Sequence, residues 1–171
     1  MSSTESLATG GGVSEAAALA DFDAFVAAAS RRLLTTAYLL TGDHGRAEDL
    51  LQTALARTWL AWARVESPEP YVRRAMVNTY ASWWRRRWRD ERPTGDLADR
   101  AYVDESLDQH DLWVALRRLP RGQRAVLVLR FYEDLTEAET AQVLGCSVGT
   151  VKSQSFKALA KLRSDPGLEG R

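Results

Sequence analysis

Cysteine is almost missing from this chain. The single one, Cys146, excludes an internal disulfide and any zinc cluster built on thiolates. Histidine is nearly as scarce: His44 and His110 stand far apart in sequence, so no metal site, nucleophile pair or other catalytic residue is expected, and no cofactor. Long apolar runs are also wanting. None approaches the roughly 18 residues that a membrane span needs, and the Ser/Gly/Ala-rich N-terminus has no basic segment leading into an apolar one. A soluble, cytoplasmic chain with no membrane partner is the expectation. Net charge is the last absence, with 23 basic side chains against 23 acidic. As a total, that balance argues against a polyanionic partner.

The distribution of charge reverses that inference. Residues 70–89 hold six arginines and no acid, residues 90–111 hold eight acids against Arg92 and Arg100, and residues 112–171 return to ten basic against six acidic side chains. Such segregation suits a polyanion contact beside an acidic tether. The hydrophobic share of 45% is enough for cores, but 171 residues split into two units leave each only marginally stable alone.

Along the chain, residues 1–18 are small and polar with three consecutive glycines and are expected to form a disordered tail. From Asp21, Phe22, Phe25, Val26, Ala29, Leu33, Ala37 and Leu40 recur at helical spacing. Thr41-Gly42-Asp43 then supplies a turn with Asp43 as the next N-cap. A second helix to about Arg64 carries Ala47, Leu50, Leu51, Ala54, Leu55, Thr58, Trp59 and Trp62 on its apolar side. Pro68 and Pro70 break the chain before a third helix, from Tyr71 to about Arg89. The acidic stretch 91–110 reads as a linker. A second helical unit, residues 111–165, begins with Leu112 to Leu119 and stops at Pro120; the apolar run Arg124 to Tyr132 reads as a buried helix, and 166–171 as a tail.

Two local patterns point to nucleic acid. In the first, Thr136 and Glu139 form a capping box, Gly145-Cys146-Ser147 a turn with a fresh N-cap, and a second helix turns Val148, Val151, Ala158, Leu159 and Leu162 inward. Its outer face then holds Thr150, Lys152, Ser153, Gln154, Lys157 and Lys161, the hydroxyls, amide and cations that reach base edges and phosphates in a major groove. In the second pattern, Arg73, Arg74, Asn78, Trp83, Trp84, Arg85, Arg86 and Arg87 share one helix. Arginines neutralise phosphate and aromatic faces stack on unpaired bases, so this helix suits opening or single-stranded DNA. Trp83 and Trp84 are adjacent and point about 100° apart, which keeps at least one near the surface.

With these motifs in order, residues 20–163 resemble the extracytoplasmic-function sigma factors of bacterial RNA polymerase. The segment Glu48-Asp49-Leu50-Leu51-Gln52 looks like the family's docking segment, implying polymerase contacts by Glu48, Asp49 and Gln52. Arg74-Ala75-Met76-Val77-Asn78 with the tryptophans and arginines after it looks like the helix that reads the melted minus-ten element, which implies DNA roles for Arg74, Asn78, Trp83, Trp84, Arg85 and Arg86. The stretch Leu135–Ser153 looks like the minus-thirty-five helix-turn-helix and implies duplex contacts by Thr150, Lys152, Ser153, Gln154 and Lys157. Ser82 stands where many relatives carry aspartate, and Gln154-Ser155 where Arg-Leu is common, so promoter sequence does not transfer.

The expected architecture is therefore all-α: two small domains, an N-terminal helical bundle over 19–90 and a C-terminal helix-turn-helix unit over 111–165, joined by an acidic linker. Core RNA polymerase, promoter DNA (duplex and single-stranded) and an anti-sigma protein are the implied partners. The rival reading, a helix-turn-helix regulator of the response-regulator type, needs alternating strands and helices upstream, and 20–90 shows none.

Overall fold

The computed structural model describes residues 10–88 and 107–168. All regular structure among them is helical: α1 (Gly10–Thr41), α2 (His44–Ala61), α3 (Pro68–Trp88), α4 (Leu107–Arg118), α5 (Arg121–Leu127), α6 (Glu137–Leu144) and α7 (Val148–Arg163). A 3-10 turn, Trp62–Arg64, follows α2, and a π turn, Val128–Tyr132, prolongs α5.

The helix boundaries follow local chemistry. Gly42 at φ +68° ends α1 in the left-handed conformation that only glycine takes without strain. Asp43 then opens α2, its carboxylate accepting the Arg46 N–H at 2.8 Å. Both prolines, Pro68 and Pro70, lie in the first turn of α3, where a missing N–H costs nothing. Two expected boundaries are corrected. Helix α1 already begins at Gly10, so the tail expected over residues 1–18 does not hold beyond residue 9. Glu15 and Ala16 to Ala18 are strong helix formers, and extending a packed helix needs no new nucleus. Helix α4 likewise begins at Leu107, inside the stretch assigned to the linker, for the same reason of cheap elongation. The remainder of the linker, 91–106, lies outside the described residues.

Helices α1, α2 and α3 pack as a bundle around Ala29, Leu33, Leu40, Leu50, Val72 and Met76, each with almost no exposed surface. Burying such side chains contributes roughly 1.5–3 kcal/mol each for the larger ones. At the edge of this bundle Phe22 meets Trp59 at 5.2 Å and Trp62 at 5.1 Å, so both tryptophans pack as expected. Helices α5, α6 and α7 form the second unit around Val126, Leu129, Ala141, Leu144 and Val151, with a satellite of Leu119, Leu127 and Ala158. Val148, expected inward, is 39% exposed, because it occupies the first position of α7, ahead of the turn that meets α6.

The two units do not stand apart. Tyr38, Leu39 and Leu40 are buried one after another, so the end of α1 is covered on every side. Tyr38 lies 4.4 Å from the ring of Trp113 on α4, and one apolar cluster runs from Leu33 and Met76 through to Leu129 and Val151.

Candidate nucleic-acid interface

Helix α3 is anchored by Val72, Ala75, Met76, Thr79 and Tyr80, which face inward. Its outward positions are set by that anchoring. Arg74 and Asn78, four residues apart, are both exposed and therefore share one face. Arg85 and Arg86 are exposed at the far end, where cations suit the helix dipole. Trp83 and Trp84 are each half-buried, packed against the core with part of each ring accessible; Trp84 lies 5.9 Å from the Tyr80 ring.

One further side chain of this surface was not singled out from sequence. Arg57 on α2 donates to the hydroxyl of Thr79, a buried residue of α3, at 3.0 Å. Only the crossing of α2 and α3 brings it there. Arg73 differs from its neighbour Arg74: it is held by Glu69 at 3.4 Å, by the Thr36 hydroxyl at 3.3 Å and by Glu133 at 2.9 Å. Arg32 holds Glu69 from the other side at 2.9 Å. That hydrogen bond, with the positive charge behind it and help from Arg73, keeps the Glu69 carboxyl below the usual glutamate range despite partial burial.

The helix-turn-helix is built as its residues predict. The Thr136 hydroxyl accepts the Glu139 N–H at 3.1 Å while Glu139 accepts the Thr136 N–H at 2.7 Å. That backbone bond is the main reason Glu139 ionises more readily than a free glutamate. Gly145 closes α6 at φ +65°, and the Ser147 hydroxyl caps α7 by accepting the Thr150 N–H at 3.1 Å. Along α7, Thr150, Lys152, Ser153 and Lys157 are exposed and Gln154 is half-buried. Thr150 shares a 2.9 Å hydroxyl contact with Ser147, and Lys152 lies 3.7 Å from Glu137. Phe156, 74% exposed on the same helix, was not foreseen, and its outward register follows from Val151 and Ala158 being buried. The Cys146 thiol, half-buried in the turn, is pushed up by that burial and so stays protonated.

A third surface lies on α2. Glu48, Asp49 and Gln52 are all exposed there, with His44 3.1 Å from Glu48. The structure therefore places the α2 and α3 sets on one unit and the α7 set on the other. Among the described residues, no group of His, Cys, Asp and Glu has the arrangement of a metal site.

A basic, aromatic-bearing helix on a three-helix bundle, followed by a capped helix-turn-helix, defines a two-part DNA-binding protein of the transcription machinery. Its family is settled by comparison. The profile of Sigma-70 region 2 matches residues 25–90, and that of Sigma-70, region 4, matches residues 109–162. The chain is 43% identical over 158 residues to the RNA polymerase sigma-E factor of Streptomyces avermitilis, covering 88% of this chain and 87% of that one. It is 30% identical over 148 residues to the ECF RNA polymerase sigma factor EcfG of Rhodopseudomonas palustris, covering 80% of each. Among solved structures, the sigma factor RpoE of Bartonella quintana, crystallised with the anti-sigma factor NepR, superposes with a TM-score of 0.59 at 25% identity, over 88% of this chain and 99% of that one. This chain belongs to the extracytoplasmic-function sigma factors.

Proposed function

We propose that this chain binds core RNA polymerase and directs it to promoters, with α2 docking on the polymerase, α3 capturing bases of the melted minus-ten element and α7 reading the minus-thirty-five duplex. The observation that carries the reading is the pairing of Arg74 and Asn78 on the exposed face of α3 with a capped recognition helix in the same chain. An asparagine amide both donates and accepts, so it can satisfy one base edge, while Arg74, Arg85 and Arg86 neutralise the backbone beside it. Trp83 and Trp84 offer the accessible parts of their rings for stacking. On α7, Lys152 and Lys157 suit phosphates, and Thr150, Ser153 and Gln154 suit base edges. Glu48, Asp49 and Gln52 form a polar face that suits a basic partner surface.

No bond-making step falls to the chain in this scheme: RNA synthesis belongs to the polymerase, and the factor acts by binding alone. Work at the chromosome implies a cytoplasmic location, and no helix among the described residues is long and apolar enough to cross a membrane. An anti-sigma protein is a further expected partner, since the Bartonella quintana sigma factor was crystallised with one.

The test is initiation in a purified system. Core polymerase with this chain should start RNA at a defined site on its own promoters, and core polymerase alone should not. Asp49→Lys with Gln52→Ala should reduce capture of core polymerase at unchanged helical content. Site-specific DNA binding that never recruits polymerase would favour the regulator reading instead.

A further inference from the structure

The helix-turn-helix carries an acid among its cations. Glu137, the first residue of α6, places one carboxylate oxygen 3.7 Å from the Lys152 Nζ on α7 and the other 3.9 Å from the Arg130 guanidinium. Arg130 is itself fixed: it donates to the Leu135 carbonyl, and its guanidinium stands 5.6 Å from the centre of the Phe131 ring. A chain of alternating charge thus runs from the π turn to the recognition helix. Exposure rises along it, the side chains of Arg130, Glu137 and Lys152 being 25%, 36% and 66% exposed, so the inner end is anchored and the outer end faces solvent. Lys157 and Lys161, farther along α7, are exposed and form no such pair among the described residues.

A lysine alone is an indifferent reader of DNA. Its ammonium is a compact charge on a flexible stem and turns to any phosphate within reach. Lys152 is the fifth residue of α7, and the N-terminal residues of a recognition helix are those that meet base edges. From there the stem serves a base or the backbone, and phosphate attracts it on every sequence alike. A carboxylate beside the ammonium changes that competition. Glu137 supplies the negative charge that a phosphate would supply, from a backbone fixed by the Thr136 capping box. The neutralised pair is drawn less strongly to the backbone, yet its ammonium protons still suit the O6 and N7 acceptors of guanine. An exposed pair of this kind adds little to stability. Its effect falls instead on what Lys152 meets.

We propose that Glu137 is a positioning residue for duplex recognition, holding Lys152 off the phosphates so that its ammonium is directed to a guanine in the major groove. This inference rests on the duplex reading by α7 proposed above and deepens it. Lys152, which alone would suit phosphate as Lys157 does, is thereby turned to a base. Arg130 acts one step behind, keeping the Glu137 carboxylate from swinging out to solvent. Removing the Glu137 charge then has two effects of opposite sign: affinity for DNA in general rises, and preference for the right site falls. A residue that only stabilised α6 would lower both together.

Two measurements on the full chain test it. In the first, core polymerase carrying the chain selects from linear duplexes randomised across the upstream element, and the retained sequences are read. Lys152→Ala should abolish a guanine preference at one position. Glu137→Gln should weaken the preference there by about three- to fivefold, the scale of one exposed ion pair. In the Lys152→Ala background, Glu137→Gln should change no preference. In the second, binding of the chain alone to a mixed-sequence duplex of about 20 base pairs is followed against salt; Glu137→Gln frees Lys152 for a phosphate and should steepen the log–log slope by about one unit, with tighter binding at low salt. A variant that merely unfolded α6 would lose affinity for every sequence, the reverse of this gain. Preferences untouched by Glu137→Gln, a weakened position other than the one Lys152→Ala removes, an effect that persists without Lys152, or an unchanged slope each overturn the role. A wild type that selects no upstream sequence removes the duplex reading itself, and this role with it. Selection by wild type that Glu137→Gln leaves intact removes only the role of Glu137.

Discussion

Asn78 and its neighbours show how one residue step divides roles on α3. Arg73 is tied to Glu69, Thr36 and Glu133, while Arg74 is exposed beside Asn78. Sequence puts both arginines in one basic stretch and cannot separate them, because Glu133 is 60 residues away from Arg73. For Asn78→Ala, polymerase capture and upstream duplex binding should persist while opening of linear promoter is lost. One specific base contact is worth about 1–3 kcal/mol, and a template with a pre-melted bubble should recover much of the activity since the unpairing is already done. Permanganate reactivity of unpaired thymines measures this; normal reactivity on intact duplex would remove Asn78 from the mechanism. Glu69 carries a pH prediction. Its folded pKa is depressed, chiefly by Arg32, so its stabilising contribution is present above the unfolded glutamate value near 4.3 and is lost as pH falls through the lower folded value. The melting temperature of wild type should therefore drop more steeply below about pH 4.5 than that of Glu69→Gln. Parallel curves for the two proteins would show that the Arg32–Glu69–Arg73 group does not act in this way.

At the scale of elements, helix ends were the most legible feature. Asp43, Thr136, Gly145 and Ser147 are named by local chemistry alone, and each makes the contact or takes the backbone angle its type favours. Thr136→Ala should cost about 1 kcal/mol of stability, the usual loss for an N-cap, and should weaken duplex binding only through the position of α6. Chemical denaturation checks the first part, and a loss near zero would mean that water replaces the hydroxyl fully. Side-chain direction was less legible. Val148 reads as inward from its spacing yet lies at the exposed start of α7, and Phe156 faces outward on a helix whose inner stripe is narrow. Helix starts at Gly10 and Leu107 were missed because propensity is weak beside the support of an existing packed helix.

Across the whole molecule, the apolar cluster passes without a break from the α1–α3 bundle into the helix-turn-helix unit. Two units of about 60–80 residues would each be marginal alone, so each lends the other part of its stability. The free chain should accordingly unfold in one calorimetric transition, with calorimetric and van't Hoff enthalpies equal. Glu133→Lys, which weakens the contact between the two units, should lower its midpoint or resolve it into two. Two transitions already present in the wild type would show that this contact contributes nothing to stability.

The sequence by itself determined the helices, their caps, the order of the three motifs and hence the family, because periodicity, turn chemistry and motif spacing are local and survive without coordinates. Exposure of Arg74, Asn78 and Lys157 was within its reach for the same reason. Only the tertiary structure decided that Arg73 is tied, that Arg57 stands beside Thr79, and that Tyr38 meets Trp113 across a shared core. Those pairings join positions 22 to 75 residues apart, where no local pattern carries information. They are fixed by how helices distant in sequence settle against one another, within the bundle for Arg57 and Thr79 and across the two units for Arg73 with Glu133 and Tyr38 with Trp113.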